Sequence, residues 1–124
     1  MSEKSVVVLF SGQGAQSVGM GKDLYESYPV AKAMFDRADE VLGFPLTQIM
    51  FEGPAEELTT TSRCQPALYL HGLACLAVLK EQVPDLEIAA AAGLSLGEFT
   101  AHAAAGTFDF ETGLKLVAQP PHVR

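Results

Sequence analysis

Basic side chains are scarce: 8 Lys and Arg stand against 15 Asp and Glu, a formal net charge of −7 at pH 7. A protein that grips a phosphate backbone needs clustered Lys and Arg, so nucleic acid is not an expected partner. No uninterrupted apolar run approaches the roughly 18 residues of a membrane span, and a membrane is not expected either. The first apolar run, Val6 to Phe10, is too short for a signal-peptide core. No small-residue cleavage pattern follows it, and the start is not rich in Arg and Ser, so a cytoplasmic location is expected. Cysteine is limited to Cys64 and Cys75, without metal-ligand spacing, and both are expected as buried, reduced thiols. Charged residues are only 19% and hydrophobic residues 48%, which fits a packed core and excludes a disordered tail. The 124 residues allow one domain or a piece of a larger one.

Ser5 to Phe10 is apolar after its first residue and carries three β-branched valines, the pattern of a strand buried on both faces of a parallel sheet. It runs into a stretch carrying Gly12, Gly14, Gly19 and Gly21, a loop whose backbone must turn sharply or pack closely. Val30, Ala33, Met34, Ala38, Val41 and Leu42 then recur at helical spacing, with charges on the other face. They predict an amphipathic helix from near Pro29 to Gly43. Phe44 to Ser62 reads as irregular apart from a helical turn at Ala55 to Leu58 and a cap region at Thr59 to Ser62. Gln65 to about Gln82 predicts a helix apolar almost all round, which other elements must cover on several sides. Ile88 to Ala92 reads as a short buried strand, against the helical preference of alanine, because of the turn that follows it. Helices are expected over Glu98–Ala105 and Phe110–Val117, broken at Gly106. The order of strand, loop, helices, strand, turn and helix is that of a three-layer α/β protein.

Gly93-Leu94-Ser95-Leu96-Gly97 fits the nucleophile elbow, a tight strand-to-helix turn that pushes a serine oxygen outward. The glycines are needed where neighbouring backbone comes too close for a Cβ. A helix beginning at Leu96 aims free N–H groups and its positive dipole end at the serine. The plain structural role for Ser95 is to cap that helix. An oxyanion hole also needs an N–H from a second segment. Gln13, just after the first strand, is positioned to supply it if the two strands are neighbours.

Three motifs in order carry a resemblance: Phe10-Ser11-Gly12-Gln13-Gly14-Ala15-Gln16 with Gly19-Met20-Gly21, then Gln65-Pro66-Ala67, then Gly93 to Ala101. The chain resembles the malonyl-CoA:acyl carrier protein transacylases and the related acyltransferase domains of fatty acid and polyketide synthases. The resemblance implies an enzyme that moves a malonyl group from coenzyme A to a carrier-protein thiol through an acyl-serine. It implies Ser95 as nucleophile and the backbone N–H groups of Gln13 and Leu96 as the oxyanion hole. It further implies a hydrolase-like parallel sheet with flanking helices, malonyl-CoA and acyl carrier protein as partners, and no cofactor beyond coenzyme A as substrate. Residues 1–119 would be the N-terminal part of that α/β domain, and residues 120–124 a non-matching tail.

The chain departs from the family pattern at four points. Ser11 stands where the family has proline, and Leu94 where it has histidine. The arginine that pairs with the malonyl carboxylate is replaced at its spacing by Pro120. The downstream base histidine has no counterpart. Of the histidines present, His71 lies on the apolar helix and is expected as a hydrogen-bonded core residue. His102 is about 10 Å along the helix from Ser95, beyond the reach of a base. His122 is in the tail. A truncated acyltransferase is the expectation, marginally stable because two strands alone cannot cover the apolar helix and leave open sheet edges. Two other functions share part of the pattern: a serine esterase of the α/β-hydrolase class, and a non-catalytic module that docks a carrier protein.

Overall fold

A computed structural model describes residues 5–10, 16–59, 61–84, 87–93, 100 and 109–118. Strands β1 (Ser5–Phe10) and β2 (Glu87–Gly93) pair in parallel. The register starts at Ser5–Glu87, shifts between Val6 and Val7, and then runs from Val7–Ala90 to Phe10–Gly93. The alanine run is therefore a strand, as its context predicts and its intrinsic propensity does not. A parallel partner supplies the ladder hydrogen bonds that an isolated alanine segment would make within a helix.

The connection between the strands is helical: α1 (Lys22–Ser27), α2 (Pro29–Leu42), α3 (Leu46–Glu52), α4 (Ala55–Thr59) and α5 (Thr61–Gln82). A further helix, α6 (Phe110–Ala118), follows β2. The strand-and-helix content is that of an α/β fold. Helix α2 has the boundaries its punctuation predicts. Pro29 opens it, and Gly43 closes it at φ 77°, with its N–H donating to the Asp39 carbonyl.

Three helices depart from the expectation. Phe44 to Ser62 holds α3 as well as α4, and α1 follows the glycine stretch without a helical signal of its own in the sequence. Neither α1 nor α3 has a side-chain cap of its own. Helix α3 is instead capped from α2, where Asp39 Oδ1 accepts from the Thr47 amide at 2.9 Å and the Thr47 hydroxyl at 3.0 Å. A cap delivered by tertiary contact leaves no local sequence signal. Helix α5 begins at Thr61, four residues before the expected start at Gln65, so Pro66 lies inside it. The expected helix over Glu98–Ala105 lies outside the described residues except for Thr100, which is helical and buried.

The core is built around α5. Cys64, Ala67, Leu68, Tyr69, Leu70, Leu73, Ala74, Leu76 and Val78 are all buried, covering most of its circumference. Helices α1, α2, α3, α4 and α6 pack on it. The helix is covered on several sides, as its apolar circumference predicts, and helices supply what two strands could not. Leu79 stays exposed, as does Cys75 four residues before it, which overturns the expectation that both cysteines are buried. Positions 75 and 79 lie on one face of α5, since residues four apart share a face. Between α1, α2 and α3, Tyr25, Phe35 and Phe51 form a ring cluster with centroids 5.4–5.9 Å apart.

Candidate active site

Phe10 and Gly93 are the last residues of their strands and stand opposite each other. Because the strands run parallel, both chains leave the sheet at its carboxyl end. That is where open α/β sheets bind ligands. Gly93 is the first glycine of the elbow pattern, and Phe10 opens the glycine-rich stretch. The predicted nucleophile Ser95 and the predicted oxyanion donors Gln13 and Leu96 lie outside the described residues, as do Leu94, His102, Pro120 and His122.

After Gln16 the glycine-rich stretch is fastened to the helices at Gly19 and Met20. The Gly19 amide donates to the Met50 carbonyl of α3 at 2.7 Å, and Met20 is buried. Gly19 and Gly21 have φ of 95° and 81°, the left-handed region that glycine enters without steric cost. At Gly21 there is a second reason for glycine. A Cβ there would stand 2.7 Å from Cζ of Phe35 and 3.3 Å from Cδ2 of His71. The sequence showed the glycines but not these anchoring partners, which come from elements 14 and 50 residues further along.

His71 is half-buried on α5, with Cys75 Sγ 3.8 Å from Nε2 and 4.0 Å from Nδ1. Burial pushes the imidazole pKa below its ordinary value, and the charge of Asp23 pulls it back only in part. The ring is thus neutral at pH 7, in keeping with a core role. The Cys75 thiol is pushed up, first by burial of its sulfur and then by Asp23. Both described arginines are engaged by carboxylates. Arg37 hydrogen-bonds Glu111 and Glu40, while Arg63 lies 3.8 Å from Glu57 with its guanidinium over the Phe44 ring. Among the described residues, no group of three or more His, Cys, Asp and Glu could hold a metal ion. None of the described helices is long and apolar enough to cross a membrane.

Residues 7–120 match the acyl transferase domain family. The malonyl CoA-acyl carrier protein transacylase of Bacillus subtilis is 47% identical over 114 residues, which are 90% of this chain and 35% of that protein. Among solved structures, an acyl carrier protein S-malonyltransferase from Vibrio cholerae superposes with a TM-score of 0.85 at 43% identity, covering 94% of this chain and 37% of that one. A malonyl-transacylase in complex with its type II polyketide acyl carrier protein also gives 0.85, at 37% identity, over 94% of this chain and 37% of that one. The chain spans about a third of the length of the curated relatives it matches.

Proposed function

Because the chain belongs to the acyl transferase domain family, we propose that it carries the nucleophile of an enzyme transferring malonyl groups from malonyl-CoA to an acyl carrier protein. Ser95 Oγ attacks the thioester carbonyl, the carbon–sulfur bond breaks, and coenzyme A leaves with the serine proton. The thiol of the carrier protein then takes the malonyl group from Ser95 and returns a proton to it. The N–H groups of Gln13 and Leu96 hold the negative oxygen in both steps, each such donor being worth about 3–4 kcal/mol.

The observation that carries this reading is the Phe10–Gly93 register. Gln13 follows Phe10 by three residues and Ser95 follows Gly93 by two. A chain reaches at most about 3.6 Å per residue, and neighbouring strands are about 4.8 Å apart. Covalent geometry therefore keeps both segments near one end of the strand pair, as an oxyanion hole assembled from two loops requires. That the relatives are malonyl CoA-acyl carrier protein transacylases supports the choice of malonyl-CoA and carrier protein. The same reading extends the two strands to a three-layer, hydrolase-like parallel sheet, with residues 1–119 as the N-terminal part of the domain. It takes coenzyme A as substrate rather than cofactor, and sets the reaction in the cytoplasm, in fatty acid or polyketide synthesis.

Intact mass tests it. After incubation with malonyl-CoA, the wild-type chain gains one malonyl group and Ser95→Ala gains none. No gain in the wild-type chain overturns the assignment, and an equal gain in both moves the nucleophile elsewhere.

A further inference from the structure

His71 has no part in the proposed chemistry, yet it sits where three pieces of the chain meet. Its ring lies against the backbone of Gly21, so closely that a Cβ there would be 3.3 Å from Cδ2. On its own helix it faces Cys75 Sγ, and Asp23 of α1 acts on it electrostatically. The turn beside it is held by Gly19 N–H donating to the Met50 carbonyl, Lys22 N–H to the Gly19 carbonyl at 3.2 Å, and Tyr25 N–H to the Gly21 carbonyl at 3.0 Å. Helix α1, which this turn opens, has six residues and no fully buried side chain. Such an element belongs to the least stable end of a fold and opens before the rest.

We propose that His71 is a protonation-sensitive latch, whose neutral ring seats the Gly19–Gly21 turn and α1 on α5 and whose protonation releases them. A neutral imidazole offers one unprotonated nitrogen to the Cys75 S–H, whereas the imidazolium has only donors and loses that acceptor. Charging the ring also places a cation in a half-buried site. Two titratable groups face the ring among the described residues: Asp23 from α1, whose carboxylate favours the cation, and the Cys75 thiol from α5. Phe35 of α2 brings no charge to the contact. Burial outweighs Asp23, which sets the direction of the latch: closed at neutral pH, opening as the solution becomes acidic.

Amide hydrogen exchange on the intact chain, expressed as protection factors, tests the proposal. Between pH 7 and pH 5 the amides of Gly19, Lys22 and Tyr25 lose protection severalfold, within the ceiling of about twenty-fivefold set by a reference pKa near 6.5. Interior amides of α2, such as that of Ala38, do not follow. In His71→Gln, which keeps a polar side chain that does not titrate, the selective loss disappears. An equal loss in His71→Gln, or a loss shared by Ala38, overturns the latch. If His71→Gln does not fold, the wild-type NMR titration decides. A Gly21 amide shift that tracks the His71 ring supports the latch, and an amide indifferent to the ring's titration overturns it.

Discussion

Tyr69 meets Phe110 twice: the rings stack with centroids 5.7 Å apart and 11° between planes, and the Tyr69 hydroxyl donates to the Phe110 carbonyl at 3.0 Å. One side chain of α5 thereby grips both the side chain and the backbone of the first residue of α6. Further along, Leu114 and Val117 of α6 enter the same core.

Replacing Tyr69 by phenylalanine keeps the stack and removes the hydrogen bond, which should cost about 1 kcal/mol in urea unfolding. The two proteins should also differ in alkaline solution. Burial, aided by the charge of Asp109, raises the phenol well above its ordinary pKa of 10. Above pH 10 the unfolded chain releases this proton while the folded chain retains it, so stability falls as pH rises. The urea midpoint of the wild type should decline in that range more steeply than that of Tyr69→Phe. Parallel profiles would show that Tyr69 does not contribute this linkage.

Gly21 and Gly43 both have positive φ, but only Gly21 is crowded. Gly43→Ala meets open space and should cost about 1–2 kcal/mol, the left-handed penalty of an L residue. Gly21→Ala adds the clash with Phe35, bringing a further 1–3 kcal/mol or so of overpacking. Equal losses of stability at the two positions would contradict the close contact.

Asp39 links α2 to α3 through Thr47. Asp39→Ala removes that cap and should cost about 1 kcal/mol. Asp39→Asn retains the acceptor oxygen and removes a charge whose burial raises the carboxyl pKa, although the Thr47 hydrogen bonds oppose the shift. With a raised folded pKa, the stability contributed by Asp39 falls as pH rises from the ordinary carboxyl value through the folded one, then levels off. At pH 7, therefore, Asp39→Asn should be at least as stable as the wild type by thermal melting. A loss as large as that of Asp39→Ala would refute this.

The two thiols should separate chemically. Cys64 is buried and Cys75 exposed. A disulfide reagent should modify one thiol per native chain, absent in Cys75→Ser, and two in denaturant. Because the Cys75 pKa is raised, the native reaction should be slow at pH 7 and accelerate as pH passes its ordinary value. Fast labelling at neutral pH would contradict the raised pKa.

Much of the fold was legible where the signals are local. Pro29 and Gly43 bracketed α2 because each acts on its own backbone dihedrals. The unbroken apolar run of Val6 to Phe10 marked β1, and the apolar circumference of α5 implied cover on several sides. Helices α1 and α3 were illegible because one is short and the other takes its cap from Asp39, seven residues before it begins. Cys64 and Cys75 look alike in sequence, since nothing local says which stripe of an all-apolar helix will be left open. At the candidate site, the order and spacing of Gln13, Ser95 and Leu96 could be read directly, whereas the strand pairing that bears on them could not.

The sequence by itself determined the glycine-rich stretch, the Gly93-x-Ser95-x-Gly97 pattern, the ends of α2 and the family to which the residues belong. These depend on steric rules acting over a few residues and on motifs written in order. Tertiary structure alone decided that Ala89 to Ala92 extend as a strand, that Phe10 meets Gly93, that Gly21 has no room for a Cβ, and that burial holds the His71 pKa below its ordinary value. Each of these is set by groups far apart in the chain. Their energies come from strand pairing, close packing and loss of water, which exist only once the distant segments have been brought together.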